Sequence, residues 1–171
     1  LAKIAAPAAP TISSGKVYIS RRAHANPLRN RKTVIGEDNT VRRGLVNEDA
    51  VVEILTELGY TEVFGENLTL AEKIVVFNNM HKYISTAGAG VANLLWTMPN
   101  SCSVGGIHTP GFPFPGNTHT THICTGPEVN CTITNYPGRV SFVDPSAGAR
   151  NYNSPWRIDN LVAFRNWART V

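Results

Sequence analysis

The chain has 171 residues, a formal net charge of +4, 42% hydrophobic and 16% charged residues. That length suits one domain with a real core and is short for two. No apolar run is long enough to span a bilayer as a helix, and the positive balance comes from a dense group, Arg21, Arg22, Arg29, Arg31, Lys32, Arg42 and Arg43, that suits a phosphate-bearing partner.

Residues 1–15, "LAKIAAPAAPTISSG", are rich in Ala, Pro and Ser and read as a linker or trimmed N-terminal segment. The folded unit is expected over 16–171. "KVYIS" has the β-branched and aromatic content of a buried strand and runs into Arg21 and Arg22, which would sit at its carboxyl end. From Ala23 to Gly44 the chain is polar and reads as a long loop. "NEDAVVEILTELGY" predicts a helix with Asn47 as N-cap, acidic residues in its first turn, Val51, Ile54, Leu55 and Leu58 on one face, and Gly59 as its stop. "YTEVF" is the next strand, and "TLAEKIVVFNN" a helix opened by a Thr69–Glu72 capping box.

"HKYIST" then supplies a strand, "GVANLLWTM" a helix stopped by Pro99, and "CSVGGI" another strand. Strand–helix units of roughly 25 residues with short turns predict an α/β fold, a Rossmann-like parallel sheet with helices on both faces. Residues 108–137 turn to Gly, Pro, Thr, Asn and His and read as an irregular loop or short hairpins. "RVSFVD" reads as a last strand, and "IDNLVAFRNWART" as a closing amphipathic helix with Leu161, Phe164 and Trp167 inward. Cys102, Cys124 and Cys131 form no CxxC pair, so neither a disulfide framework nor a zinc ribbon is indicated. Cys124 and Cys131 could pair across "CTGPEVNC" under oxidising conditions, but reduced structural cysteines are expected.

Ligands of parallel sheets collect outside the carboxyl ends of the strands. Gly88, Ala89 and Gly90 stand at such an end, lack bulk, and lead into a helix whose free N–H groups favour an anion; the plain alternative is a tight turn that needs small residues. "GAGVAN" does not make a dinucleotide fingerprint. Asn93 stands at the third glycine position, the turn follows a late strand, and no acid comes before Glu128. A Walker A loop is absent too, since no Gly-Lys-Ser/Thr follows the turn. His119 and His122 have metal-ligand spacing but no Cys or acid beside them, and with His108 they read as loop histidines.

The ordered combination "YISRR", "VRRGLVNEDAVVEILTELGY" and "ENLTLAEKIVVFNNMHKYISTAGAGVANLLWTMPNS", over about Lys16 to Ile107, resembles the family 61 glycosyltransferases. The resemblance implies the donor-binding half of a two-domain GT-B enzyme, inverting and metal-independent, needing no cofactor beyond its substrate. Such an enzyme transfers a sugar from a nucleotide-sugar donor to a glycan or protein hydroxyl, with an N-terminal GT-B half in the same polypeptide or a partner. The implied donor-binding residues are Arg21, Arg43, Asn47, Glu48, Gly88, Ala89, Gly90 and Asn93. Without a metal, guanidinium groups and helix N-termini must stabilise the departing diphosphate, which Arg21, Arg43 and the Gly88–Gly90 turn are placed to do. Asn47 and Glu48 would orient Arg43 or contact the donor, with simple N-capping as the alternative. Glu66 to Thr69, at another strand–helix junction, would hold base or ribose, or serve only as a cap.

Two departures from the family pattern stand out. Ala87 replaces the His that precedes "GAG", and Val104-Gly105-Gly106-Ile107 carries no acid after it. No general base is assignable, and it could come from the other half. The rival reading is a degenerate, non-catalytic module with a binding or structural role. Nucleic-acid binding, prompted by the Arg cluster, lacks interleaved aromatic residues apart from Tyr18. A cytoplasmic location is expected, or the secretory pathway for a eukaryotic member.

Overall fold

A computed structural model describes residues 14–22, 44–98, 101–111, 114, 118–127, 129–144 and 154–171. Five parallel strands, β1 (Lys16–Ile19), β2 (Thr61–Val63), β3 (Lys82–Thr86), β4 (Ser103–Ile107) and β5 (Thr132–Asn135), form one sheet in the order β2-β1-β3-β4-β5. Val17 pairs with Thr61 on one side and Tyr83 on the other, and Ser103 pairs with Lys82 and Thr132. The fold is α/β and Rossmann-like, as expected.

Strand alternation sends successive side chains to opposite faces, and two cores result. Val17, Ile19 and Tyr83 pack with Val76, Phe77, Val91 and Leu94, which belong to α2 (Leu70–Asn78) and a 3₁₀ helix, Ala89–Trp96. Tyr18 and Ile84 pack on the other face with Val51 and Leu55 of α1 (Glu48–Glu57) and Phe164 and Trp167 of α4 (Leu161–Thr170). Burying each large apolar side chain contributes roughly 1.5–3 kcal/mol. These helices carry their sequence signals. Gly59 ends α1 at φ 82°, the Thr69–Glu72 capping box opens α2, and Asn160 accepts from Ala163 N to cap α4.

Residues 108–137 are more regular than expected, since they contain α3 (Thr118–Thr125) and β5. Their polar composition hides both. In α3, Cys124 is buried and Ile123 half-buried, whereas His122 is exposed, and β5 is a half-exposed sheet edge. "RVSFVD" does form a strand, β6 (Val140–Phe142), but it pairs antiparallel with β7 (Trp156–Ile158) outside the main sheet. Trp156 buries itself in the second core and meets Leu45 just ahead of α1.

The cysteine expectation is corrected as well. Cys102 is disulfide-bonded to Cys131, with Cα atoms 5.4 Å apart, and Cys124 is a buried free thiol. The reason is register: each bonded cysteine directly precedes a residue of the Ser103–Thr132 pair, so the two sit side by side where β4 and β5 begin. Without β5 in view, sequence spacing favoured Cys124.

Candidate functional site

β1 lies between β2 and β3, so the connections leaving β1 and β3 diverge to opposite sides and a crevice opens at their carboxyl ends. The crevice is a cavity of about 320 Å³, lined by Ser20 and Arg21 after β1, Gly65 and Glu66 after β2, Lys73 on α2, and Thr86, Gly88, Gly90 and Asn93 after β3.

The end of β1 is shaped by one carboxylate. Glu48 is buried at the start of α1, and its Oε1 accepts from Tyr18 Oη at 2.8 Å, Ser20 Oγ at 2.9 Å and the Arg21 backbone N–H at 2.9 Å. Burial, and then the Glu48 charge, push the Tyr18 phenol well above its usual pKa, so it stays a donor. The two arginines that follow part company. Arg22 turns back to Asp49, at 2.5 Å, and to Glu62, whereas Arg21 faces the cavity.

At the end of β3 the chain takes a conformation that only glycine adopts easily. Gly88 has φ 151°, and a β-carbon placed there would stand 3.6 Å from Arg21 Nη1. The guanidinium therefore reaches the turn itself. A β-carbon on Gly90 would meet the Ile19 side chain at 3.3 Å, a tight contact that leaves little room. Asn93 donates from Nδ2 to the Gly90 carbonyl at 3.0 Å and steadies the loop. The expected helix is a 3₁₀ helix, with Val91 N–H donating to the Gly88 carbonyl. The Val91 N–H, the third of the helix, is bonded three residues back, which tightens the turn. Pro99, its expected stop, lies outside the described residues.

The expected residues thus divide. Arg21, Gly88, Gly90 and Asn93 come together, with the Ala89 backbone between the glycines. Glu48 stands behind them as a support. Asn47 turns away: it does not cap α1, and its side chain instead donates to Ile158 O at 2.9 Å and accepts from Ile158 N at 3.2 Å, which ties α1 to β7. It lines a more open cleft of about 810 Å³ with Arg139, Arg157 and Asp159. That cleft is larger, but it lies off the crevice where the connections diverge. Arg43 lies outside the described residues.

Ala87, where a His was expected, is wholly buried and lines the cavity. Inside β4 the space is tight, because a β-carbon on Gly106 would fall 2.1 Å from the Phe114 ring and one on Gly105 2.8 Å from Ile84. His108 does not line the cavity. Burial lowers its pKa, and a hydrogen bond that the ring donates to the Tyr136 backbone carbonyl opposes the shift. His122 is exposed on α3, and the side chain of His119 lies outside the description.

Sequence reasoning missed Lys73. Its neighbour Glu72 carries the capping signal, and the signal at Lys73 itself is a cation in the early part of a helix, where anions are favoured.

No helix among the described residues is long and apolar enough to cross a membrane. No curated protein matches the chain. The sequence model of the family described as Glycosyltransferase 61 matches residues 2–104, more than half of the chain and every strand that opens onto the cavity. By that match the chain belongs to the family 61 glycosyltransferases.

Proposed function

We propose that this chain is the donor-binding half of an inverting, metal-independent GT-B glycosyltransferase. It acts on a nucleotide-sugar and passes the sugar to a glycan or protein hydroxyl. The observation that carries the reading is the Arg21 guanidinium against the Gly88 turn, in the crevice between β1 and β3. In the transfer, the acceptor oxygen bonds to the anomeric carbon as the carbon–oxygen bond to the diphosphate breaks. The acceptor proton passes to a base, and negative charge grows on the leaving phosphate. Arg21 and the backbone of the turn are aimed at that charge, and Glu66 is suited to accept from hydroxyls of ribose or sugar. The base would come from an N-terminal half, in the same polypeptide or a partner.

The degenerate-module reading draws on Ala87 and on the Phe114 ring that fills the space beside Gly106. Nucleic-acid binding is disfavoured, since Arg22 is committed to Asp49 and Glu62. The Cys102–Cys131 bond favours an oxidising compartment over the cytoplasm.

Calorimetric titration with UDP, GDP and their sugars tests the donor role. Binding in the range of roughly 1 μM to 1 mM that falls at least about tenfold in Arg21→Ala is expected. Equal affinity in that variant would remove Arg21 from the site. Donor binding without transfer, once the N-terminal half is supplied, would favour the degenerate module.

A further inference from the structure

We infer that Lys73 is a second phosphate-binding cation of the donor cavity, contributed by α2, and that it tunes the site toward diphosphates over monophosphates. The inference rests on the donor reading above and deepens it.

Lys73 is half-buried and lines the same cavity as Arg21 and the Gly88–Gly90 turn. Its position on α2 runs against electrostatic preference. Thr69 is the N-cap, so Lys73 is the fourth helical residue, near the positive end of the helix dipole. The nearest acid in sequence cannot compensate, because Glu72 Oε2 accepts from Thr69 N at 2.7 Å and Thr69 Oγ1 at 2.8 Å. Among the described residues Lys73 makes no ion pair, and Glu66, the carboxylate of the same cavity, is not within ion-pair distance of it. A cation held at the wrong end of a helix and sharing a cavity with a guanidinium is a local conflict. Conflicts of this kind concentrate at functional sites, and an anion between the two cations would relieve this one. Arg21 lines the cavity from the end of β1 and Lys73 from α2, and on the inference a ligand with two phosphates would bridge them. A single phosphate held at the turn engages the first more readily than the second.

The test compares wild type, Lys73→Gln and Lys73→Arg by calorimetry with UDP, UMP, GDP, GMP and inorganic pyrophosphate, alongside thermal melts. Lys73→Gln is expected to weaken UDP or GDP and pyrophosphate about tenfold, to narrow the preference for diphosphate over monophosphate, and to melt at the same temperature or higher. Lys73→Arg should keep the preference. If wild type binds nucleoside diphosphates and Lys73→Gln binds them equally well, Lys73 is a solvated surface lysine and the inference falls while the donor site stands. If wild type binds pyrophosphate through Lys73 but no nucleotide, the donor reading fails and the anion site stands. If wild type binds neither, both fall.

Discussion

Glu48 accepts three hydrogen bonds on one buried oxygen, and each donor belongs to the strand end that presents Arg21. Two are side-chain hydroxyls and one is the Arg21 backbone itself, so the carboxylate sets both the path of the chain and the start of the cavity wall. Replacing it by Gln keeps the volume but removes the charge and turns one side-chain position from acceptor to donor. Losing charge-assisted bonds in a buried setting costs about 2–3 kcal/mol. Glu48→Gln is therefore expected to melt about 4–12 °C lower, at roughly 2–4 °C per kcal/mol for a domain of this size. A melting temperature within 1 °C of wild type would show that the network is not a support. Residue identities at the site were legible where the chain itself dictates geometry, as at Gly88 and Arg21. They were less so where a side chain chooses among partners. Asn47 satisfies backbone groups of Ile158, a residue 111 positions away, and local capping rules contain no information about such a partner.

At the scale of elements, strands and helices with a strong apolar period were readable, because burial alone decides them. α1 and α4 follow their predicted faces, with Val51, Leu55, Phe164 and Trp167 inward. α3 and β5 escaped notice because their burial is partial and their side chains are mostly polar. Ala89–Trp96 is a 3₁₀ helix where its sequence pattern predicts a helix of either kind, because apolar spacing does not distinguish the two over eight residues. The Gly88 turn that precedes it is the most constrained joint in the cavity wall. Gly88→Ala would force a side chain into φ 151° and toward Arg21 Nη1, at a cost on the order of 1–3 kcal/mol. A lower melting temperature together with weaker nucleotide binding is expected. Unchanged affinity in a folded variant would mean that the turn does not touch the ligand.

For the molecule as a whole, the Cys102–Cys131 bond closes a loop that carries α3 and the approach to β5. With a sequence separation of 29, chain-entropy arguments assign it about 3–4 kcal/mol. Cys102→Ser is accordingly expected to lower the melting temperature by about 10 °C, and a reductant to act on wild type but not on the variant. An equal reductant response in both would place the effect elsewhere. The remaining thiol is a poor candidate for exchange, since burial raises the Cys124 pKa to about 11 and keeps it protonated near neutrality.

The sheet also ends in two short strands, three residues in β2 and four in β5, whereas β3 and β4 have five each. Long unpaired edges invite another chain to add a strand, and short ones offer little ladder to copy. A second half of the kind proposed above would therefore gain little by lying alongside this sheet. It would gain more by standing end-on over the carboxyl tips of β1 and β3, where an approaching surface would become the lid of the cavity rather than an extension of the sheet.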